Sequence, residues 1–371
     1  MRTVVLGGYG NFGARIAARL HSRSQETGIK VIAAGRNPER GHSACRFDAG
    51  IGQARLDIQD REFPKALKAL SPDLLIHCVG PFQGQDYRVA EAALSAGCHY
   101  IDLADGRAFV AGFEEHCDRE AISKALVLVS GASTLPAISS AVVDALSSRL
   151  ASLDEIEISI APAQRSPRGS ATLRAVFSYL GKPFEWYEDG SWRTAIGWQE
   201  LRRIRFRDLG VRWSAACDVP DLDFPRTRYP TARSVTFRAS LEFSFQHFFL
   251  AALAELRRQG IPIPMDRCAG SFERVATWLG RVGGQKGGMV VAVTGRDASG
   301  RRKRFEWHLT AGWKEGPEIP CLPAILLAER LAQGKDVARG GSACMGYLDL
   351  EEFEPEFGRL GIRTGVVEMR L

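Results

Sequence analysis

The chain has 371 residues, 45% apolar and 25% charged, with 38 glycines; this composition fills the cores of about two domains and excludes a disordered chain, a collagen-like fibre and a coiled coil. Lys plus Arg number 49 against 43 for Asp plus Glu, and the net +6 suits an anionic ligand such as a phosphate without calling for nucleic acid. The eight cysteines form no C-x-x-C pair, so no metal site is read, and no run of roughly 18 apolar residues is present to span a membrane.

The chain opens on Thr3-Val4-Val5-Leu6 with no leader-like apolar stretch before it. With scattered thiols, that predicts a cytoplasmic protein. Short apolar runs at 3–6, 30–34, 54–57, 74–79, 100–103 and 126–130 read as strands. Amphipathic or Ala-rich segments at 11–21, 60–70, 87–96 and 109–124 read as helices between them. Such alternation predicts an α/β fold whose N-terminal part is a Rossmann domain, a doubly wound parallel sheet with helices on both faces. Pro136, just after Ser133 and Thr134, predicts a helix from there to about 149.

The pattern changes after residue 150. Ile156, Ile158 and Ile160 alternate with polar residues, as in a half-buried strand. Asp189-Gly190 and Asp297-Ala298-Ser299-Gly300 mark hairpins. Helices are predicted at 171–180, 243–259 and 272–279, the segment 243–256 being buried rather than dipping into a membrane. These elements predict a second α+β domain with a mixed or antiparallel sheet. The expected boundaries are 1–133 for the Rossmann domain and 134–316 for a substrate and dimerisation domain. The tail, 317–371, is expected to pack back on the Rossmann domain. A small-molecule substrate and a homodimer fit this layout, with no nucleic acid and no integral membrane segment.

The strongest motif is Gly8-Tyr9-Gly10-Asn11-Phe12-Gly13, a G-x-G-x-x-G that follows a strand and opens a helix. Gly8 is assigned the tight turn, Gly10 the close approach of a pyrophosphate, and Gly13 the packing of helix on strand. Asn11 and Phe12 begin the helix whose N-terminus meets the phosphates. NAD binders usually place a carboxylate at the end of the second strand. Here Ala34-Gly35 is followed by Arg36 and Asn37, which favours NADP over NAD, because a guanidinium pairs with a 2′-phosphate. Asp57 ends the third strand near the expected adenine position. Gly80, Pro81 and Phe82 follow the fourth, where the cofactor ribose or nicotinamide comes close.

Gly7 to Gly13, Ala34-Gly35-Arg36, Cys78-Val79-Gly80-Pro81-Phe82 and Ala96-Gly97-Cys98-His99-Tyr100-Ile101-Asp102-Leu103 together resemble the saccharopine dehydrogenase-like oxidoreductases. The likeness covers about residues 1–150 and extends to the branch that includes trans-acting enoyl reductases. Tyr87 and Asp102 fall at that branch's tyrosine and aspartate. The resemblance implies a Rossmann domain, a nicotinamide cofactor and a substrate domain with a mixed sheet. The amino-acid branch resembles Gly-(Leu/Phe)-Asp-Pro-Gly after the sixth strand, whereas this chain has Gly131-Ala132-Ser133-Thr134-Leu135-Pro136 and lacks that carboxylate.

Tyr87 and Asp105 are the candidate catalytic residues, on loops expected to face the cofactor; either could supply a proton. The leading expectation is an NADP-dependent oxidoreductase that transfers a hydride to or from a C=C or C=N bond of a partly apolar metabolite. One alternative is an amino-acid or opine dehydrogenase that clamps a carboxylate with Arg165, Arg168 or Arg174. Another is a cofactor-binding protein without catalysis.

Overall fold

The computed structural model of the protein describes residues 1–39, 50–167, 170–263, 272, 275 and 278–369. The chain forms two units, Met1–Ile138 with Glu318–Leu348, and Ser139–Pro317 with Asp349–Leu371.

The first unit begins β1 (Arg2–Leu6), α1 (Asn11–Ser22), β2 (Lys30–Gly35), β3 (Gly52–Arg55), α2 (Phe63–Ala69) and β4 (Leu74–His77). It continues α3 (Arg88–Ala96), β5 (His99–Asp102), α4 (Arg107–Ser123) and β6 (Val127–Ser130). All pairings are parallel, in the order β3-β2-β1-β4-β5-β6. This is the dinucleotide-binding order, with the strand sequence reversing direction between β1 and β4. The strands are apolar along their length because helices cover both faces: Val4, Val5, Leu74, Leu75, Ile76, Leu128 and Val129 are wholly buried. Helix α1 contributes Ile16, Ala17 and Leu20 to this core.

The second unit runs α5 (Ser139–Ser147), β7 (Ser152–Ala161), α6 (Ser170–Tyr179), β8 (Pro183–Glu188), β9 (Ser191–Ile196), β10 (Arg202–Phe206) and β11 (Gly210–Ala216). Then come β12 (Ser234–Ser240), α7 (Ser244–Arg258), β13 (Lys286–Arg296) and β14 (Arg302–Gly312). The chain next supplies α8 (Leu322–Ala332) and β15 (Gly340–Ala343) to the first unit, then α9 (Leu350–Arg359) and β16 (Arg363–Met369) to the second. The second sheet has the order β10-β11-β12-β7-β13-β14-β16, with β8 and β9 hung on β12. Its pairings are antiparallel except β7 with β12, so the sheet is mixed. Ile156, Ile158, Val235, Phe237, Val291, Val293 and Trp307 share one buried face, against which α5 packs. The Asp189-Gly190 and 297–300 turns join β8 to β9 and β13 to β14, as their sequences predict.

Three expectations change. β15 does extend the first sheet, pairing with β6. Residues 349–371, however, belong to the second unit, because β16 pairs along its whole length with β14 and its backbone groups are satisfied there. The helix expected from about 134 is broken, since Leu135 is extended (φ −120°, ψ 128°) and α5 starts at Ser139. Helix α7 is buried on one face only; Phe245, Phe248, Phe249 and Leu256 face outward. Half of the helix predicted at 272–279 lies outside the described residues, as do Arg168, Cys45 and Cys268. Among the described residues no helix is long and apolar enough to cross a membrane.

Candidate cofactor site

β1 lies between β2 and β4, so the loops after these three strands share one edge of the parallel sheet. At the end of β1 the turn is made by Gly7, with φ +82°, a conformation only glycine adopts without strain. This corrects the assignment of the turn to Gly8. Gly8 is instead a packing glycine: its N–H bonds to Val5 O and Ala34 O at 3.1 and 3.0 Å, and a Cβ would lie 2.9 Å from Ala33. Gly13 is tighter still, since its Cβ would lie 2.3 Å from Gly7 O. At Gly10 a Cβ would meet only Gly7 O, at 3.2 Å. The protein itself thus leaves more room for a side chain at Gly10 than at Gly8 or Gly13.

Gly10 is also the N-cap of α1, without a side-chain cap for the first-turn N–H groups. Asn11 begins the helix, and its buried Nδ2 has no partner. Phe12 is half-buried, and its carbonyl accepts from Cys321 Sγ at 3.6 Å. Tyr9, which sequence reasoning passed over, ties the loop to the next strands. Its hydroxyl donates to Ala33 O at 2.9 Å, and its ring lies against Gly35, where a Cβ would be 2.9 Å away.

Arg36 and Asn37 follow β2 directly and are exposed, with no side-chain partner for either among the described residues. Asp57 makes a turn: Oδ1 accepts from Gln59 N at 3.1 Å, and its carbonyl accepts from Asp60 N at 3.1 Å.

After β4 the chain passes through Gly80 and Pro81, both half-buried and joined by a cis peptide, to the buried Phe82. One side chain holds this loop. Gln85 Nε2 donates to Val79 O and Pro81 O, both at 2.7 Å, while Oε1 lies 3.4 Å from His77 Nε2. An amide oxygen only accepts, so His77 carries its proton on Nε2. Burial pushes the imidazole down to about 4, and His77 Nδ1 is left without a partner. Sequence reasoning missed both residues. The available signal was a histidine closing the fully apolar run Leu74-Leu75-Ile76.

Asp102 ends β5 wholly buried. Its Oδ1 accepts from Ala104 N (2.9 Å), Gly131 N (2.8 Å) and Ser130 Oγ (3.0 Å), which ties the loop after β5 to the loop after β6. Burial raises its pKa to about 6, against the opposing pull of these donors. Asp105 lies half-buried on the loop after β5 and accepts from Gln83 Nε2 at 3.2 Å; burial raises its pKa. Tyr87 does not present its hydroxyl as a proton donor. The group donates to Phe109 O at 2.9 Å, and the ring packs against Phe109, Phe113 and His116. It precedes α3 as the N-cap residue, and its place in this aromatic cluster accounts for it.

First-turn amides without a side-chain cap, an Asn11 amide without a partner among the described residues and the exposed Arg36 guanidinium at the end of the adjacent strand offer a cradle that fits a phosphorylated dinucleotide. The comparisons agree. Residues 3–127 match the family model described as the saccharopine dehydrogenase NADP binding domain. The saccharopine dehydrogenase (L-Glu forming) of Saccharomyces cerevisiae has the same fold, with a TM-score of 0.69 at 12% identity and 100% of both chains covered. A homospermidine synthase from Legionella pneumophila, in complex with NAD, gives 0.59 at 10% identity, covering 99% of this chain and 91% of that one. An amine dehydrogenase from Mycobacterium smegmatis gives 0.51 at 12%, covering 92% and 94%. No curated protein matches by sequence. These likenesses show the fold, which the chain shares with the saccharopine dehydrogenase structure over its whole length. The family match falls within the first unit, from β1 to the start of β6.

Proposed function

We propose that the protein is an NADP-dependent oxidoreductase that transfers a hydride to or from a C=C or C=N bond of a partly apolar metabolite. The observation that carries this reading is the exposed Arg36 guanidinium at the end of β2, without a partner among the described residues, where an NAD enzyme would carry a carboxylate. When bound, the nicotinamide supplies or accepts the hydride. The α1 N-terminus would hold the pyrophosphate, and Arg36 the 2′-phosphate. Gln85 and Asp102 fix the loops after β4, β5 and β6. Asp105 is the candidate proton carrier, because burial favours its protonated form.

The name of one fold relative, an amine dehydrogenase, supports the C=N form of the reaction. The carboxylate clamp of an amino-acid dehydrogenase finds less support. Arg165 already donates to Gly280 O and Arg281 O, both at 3.2 Å, and the loop at 131–136 carries no acid. The test is NADPH oxidation, and NADP reduction, against panels of imines, enones, amines and saturated acyl compounds. Turnover of any of these supports the reading. Tight NADPH binding with no turnover would make the protein a cofactor-binding one without catalysis.

A further inference from the structure

Helix α7 buries Leu250, Ala251, Leu253 and Ala254 on its inward face, but its first turns depart from that pattern. Its outward face carries Phe245 and Phe249, 57% and 55% exposed, together with Phe248 and Leu256. Its inward face carries Gln246 and His247, 2% and 0% exposed. In these first turns folding alone favours the opposite arrangement, with the aromatic rings inside and the amide in water.

The inward polar groups are also unsatisfied. Gln246 Nε2 and Oε1 and His247 Nδ1 and Nε2 are all buried, with no hydrogen-bond partner among the described residues. Buried polar side chains are nearly always partnered, and each orphan is costly. Two consecutive residues with every side-chain polar atom unpaired therefore mark a place that something else completes.

The segment facing them is strained. Trp198 and Glu200 are non-glycine residues with φ of +65° and +54°. Such conformations cost energy and collect at ligand clamps. This loop is stitched to α7: Trp198 Nε1 donates to His247 O at 3.3 Å, and Gln199 Nε2 donates to Ala251 O at 2.8 Å. The Trp198 and His247 rings lie 5.3 Å apart. Strained loop and orphaned side chains thus meet at one spot within the second unit.

We propose that Gln246 and His247, under the Trp198 loop, form a ligand site that takes an uncharged hydroxyl or carboxamide group of the substrate. Assigning the ligand as substrate rests on the oxidoreductase reading above. The inventory of partners sets the class. The amide offers two donors and one acceptor, and a neutral imidazole offers one of each. Burial holds His247 neutral, down to about 4, so the site has no charge to match an ion. A group that both donates and accepts satisfies it, and Trp198 supplies an apolar wall.

The test uses Gln246→Leu and His247→Phe in the full chain, with three readouts. In the absence of ligand, Gln246→Leu holds or raises the melting temperature, because it removes orphaned polar atoms. A fall of several degrees in both variants would mean that internal water satisfies these groups as part of the core, and would overturn the site. Acetamide, used as a thermal-shift probe, stabilises the unmodified protein and not the variants; equal shifts in all three would also overturn it. With the panel substrate that oxidises NADPH fastest, each variant raises KM at least tenfold and leaves NADPH affinity unchanged. An unchanged KM would refute the assignment of the ligand as substrate. If no panel compound is turned over, the oxidoreductase reading fails by itself, and the first two readouts still decide the ligand site.

Discussion

Gln85 carries His77: its Oε1 lies 3.4 Å from His77 Nε2, while its amide nitrogen donates to the carbonyls of Val79 and Pro81 at 2.7 Å each. One side chain therefore uses both its donors and its acceptor to fix the strand end and the loop that follows. Gln85→Leu leaves two carbonyls and an imidazole N–H without partners. The expected loss is about 1–3 kcal/mol of unfolding free energy, with NADPH affinity about tenfold weaker. Gln85→Glu keeps the acceptor and loses the donors, so its NADPH binding should be weaker at pH 8 than at pH 5, where a protonated carboxyl can donate again. Denaturant titration and fluorescence titration with NADPH read both effects. Unchanged affinity in Gln85→Leu would remove the clamp from the cofactor site.

His77 also makes a pH prediction with a definite sign. Its folded value is about 4, against an ordinary 6.5. The unfolded chain therefore takes up a proton as pH falls from 6.5 to 4, while the folded protein does not. Stability from this group is complete above about 6.5 and is lost across that window, by up to about 3 kcal/mol. Asp102 acts oppositely. Its folded value is raised from 3.8 to about 6, so acidification from 6 towards 3.8 favours the fold. The two slopes partly cancel in the unmodified protein, and the difference between it and His77→Gln isolates the histidine. Stability curves for the two proteins that stay parallel from pH 7 to pH 4 would contradict the burial of a neutral imidazole.

The glycine loop separates folding from binding. A Cβ on Gly13 would sit 2.3 Å from the Gly7 carbonyl, which is backbone and cannot swing aside. Gly13→Ala should cost about 1–3 kcal/mol of stability through this overlap. A Cβ on Gly10 meets only one atom, at 3.2 Å. Gly10→Val should therefore fold with nearly its full melting temperature and lose NADPH binding by a hundredfold or more, its side chain standing where the pyrophosphate approaches. If Gly10→Val bound NADPH normally, the loop would not be the phosphate site.

The first sheet was legible because its signals are local. Each strand is a short apolar run, each helix follows at once, and the glycine motif sits between β1 and α1. Long-range features were not. The destination of β16 depends on a ladder with β14, some 60 residues earlier in the chain, and its sequence is compatible with either sheet edge. For Tyr87, position alone does not reveal that its hydroxyl donates a hydrogen bond to Phe109 O. Gln85 was missed because a glutamine in a loop carries no pattern; its role exists only once the chain folds back to bring Val79, Pro81 and His77 within its reach. The burial of Gln246 and His247 beside an exposed Phe245 and Phe249 is likewise invisible in composition, since packing decides which residues of a helix turn inward.

Cofactor preference is the sharpest consequence of the site. Arg36 follows the last residue of β2, exposed and unpaired among the described residues, and Asn37 beside it can add a further donor. The 2′-phosphate of NADP carries close to two negative charges, and charge-assisted hydrogen bonds to it should contribute about 1.5–3 kcal/mol. That is roughly a ten- to hundredfold preference for NADP over NAD. Arg36→Ala should erase most of the preference while weakening NAD little, because NAD has no phosphate at that position. Arg36→Asp should reverse it, since a carboxylate repels the phosphate and accepts from the ribose hydroxyls. Because the guanidinium is solvent-exposed, the preference should shrink as salt rises from 0.05 to about 0.5 M, whereas a preference set by shape would not. Calorimetric titration of both cofactors at two ionic strengths measures all of this. Equal affinities in the unmodified protein, or an Arg36→Ala variant that keeps the full preference, would mean that the end of β2 does not select the cofactor.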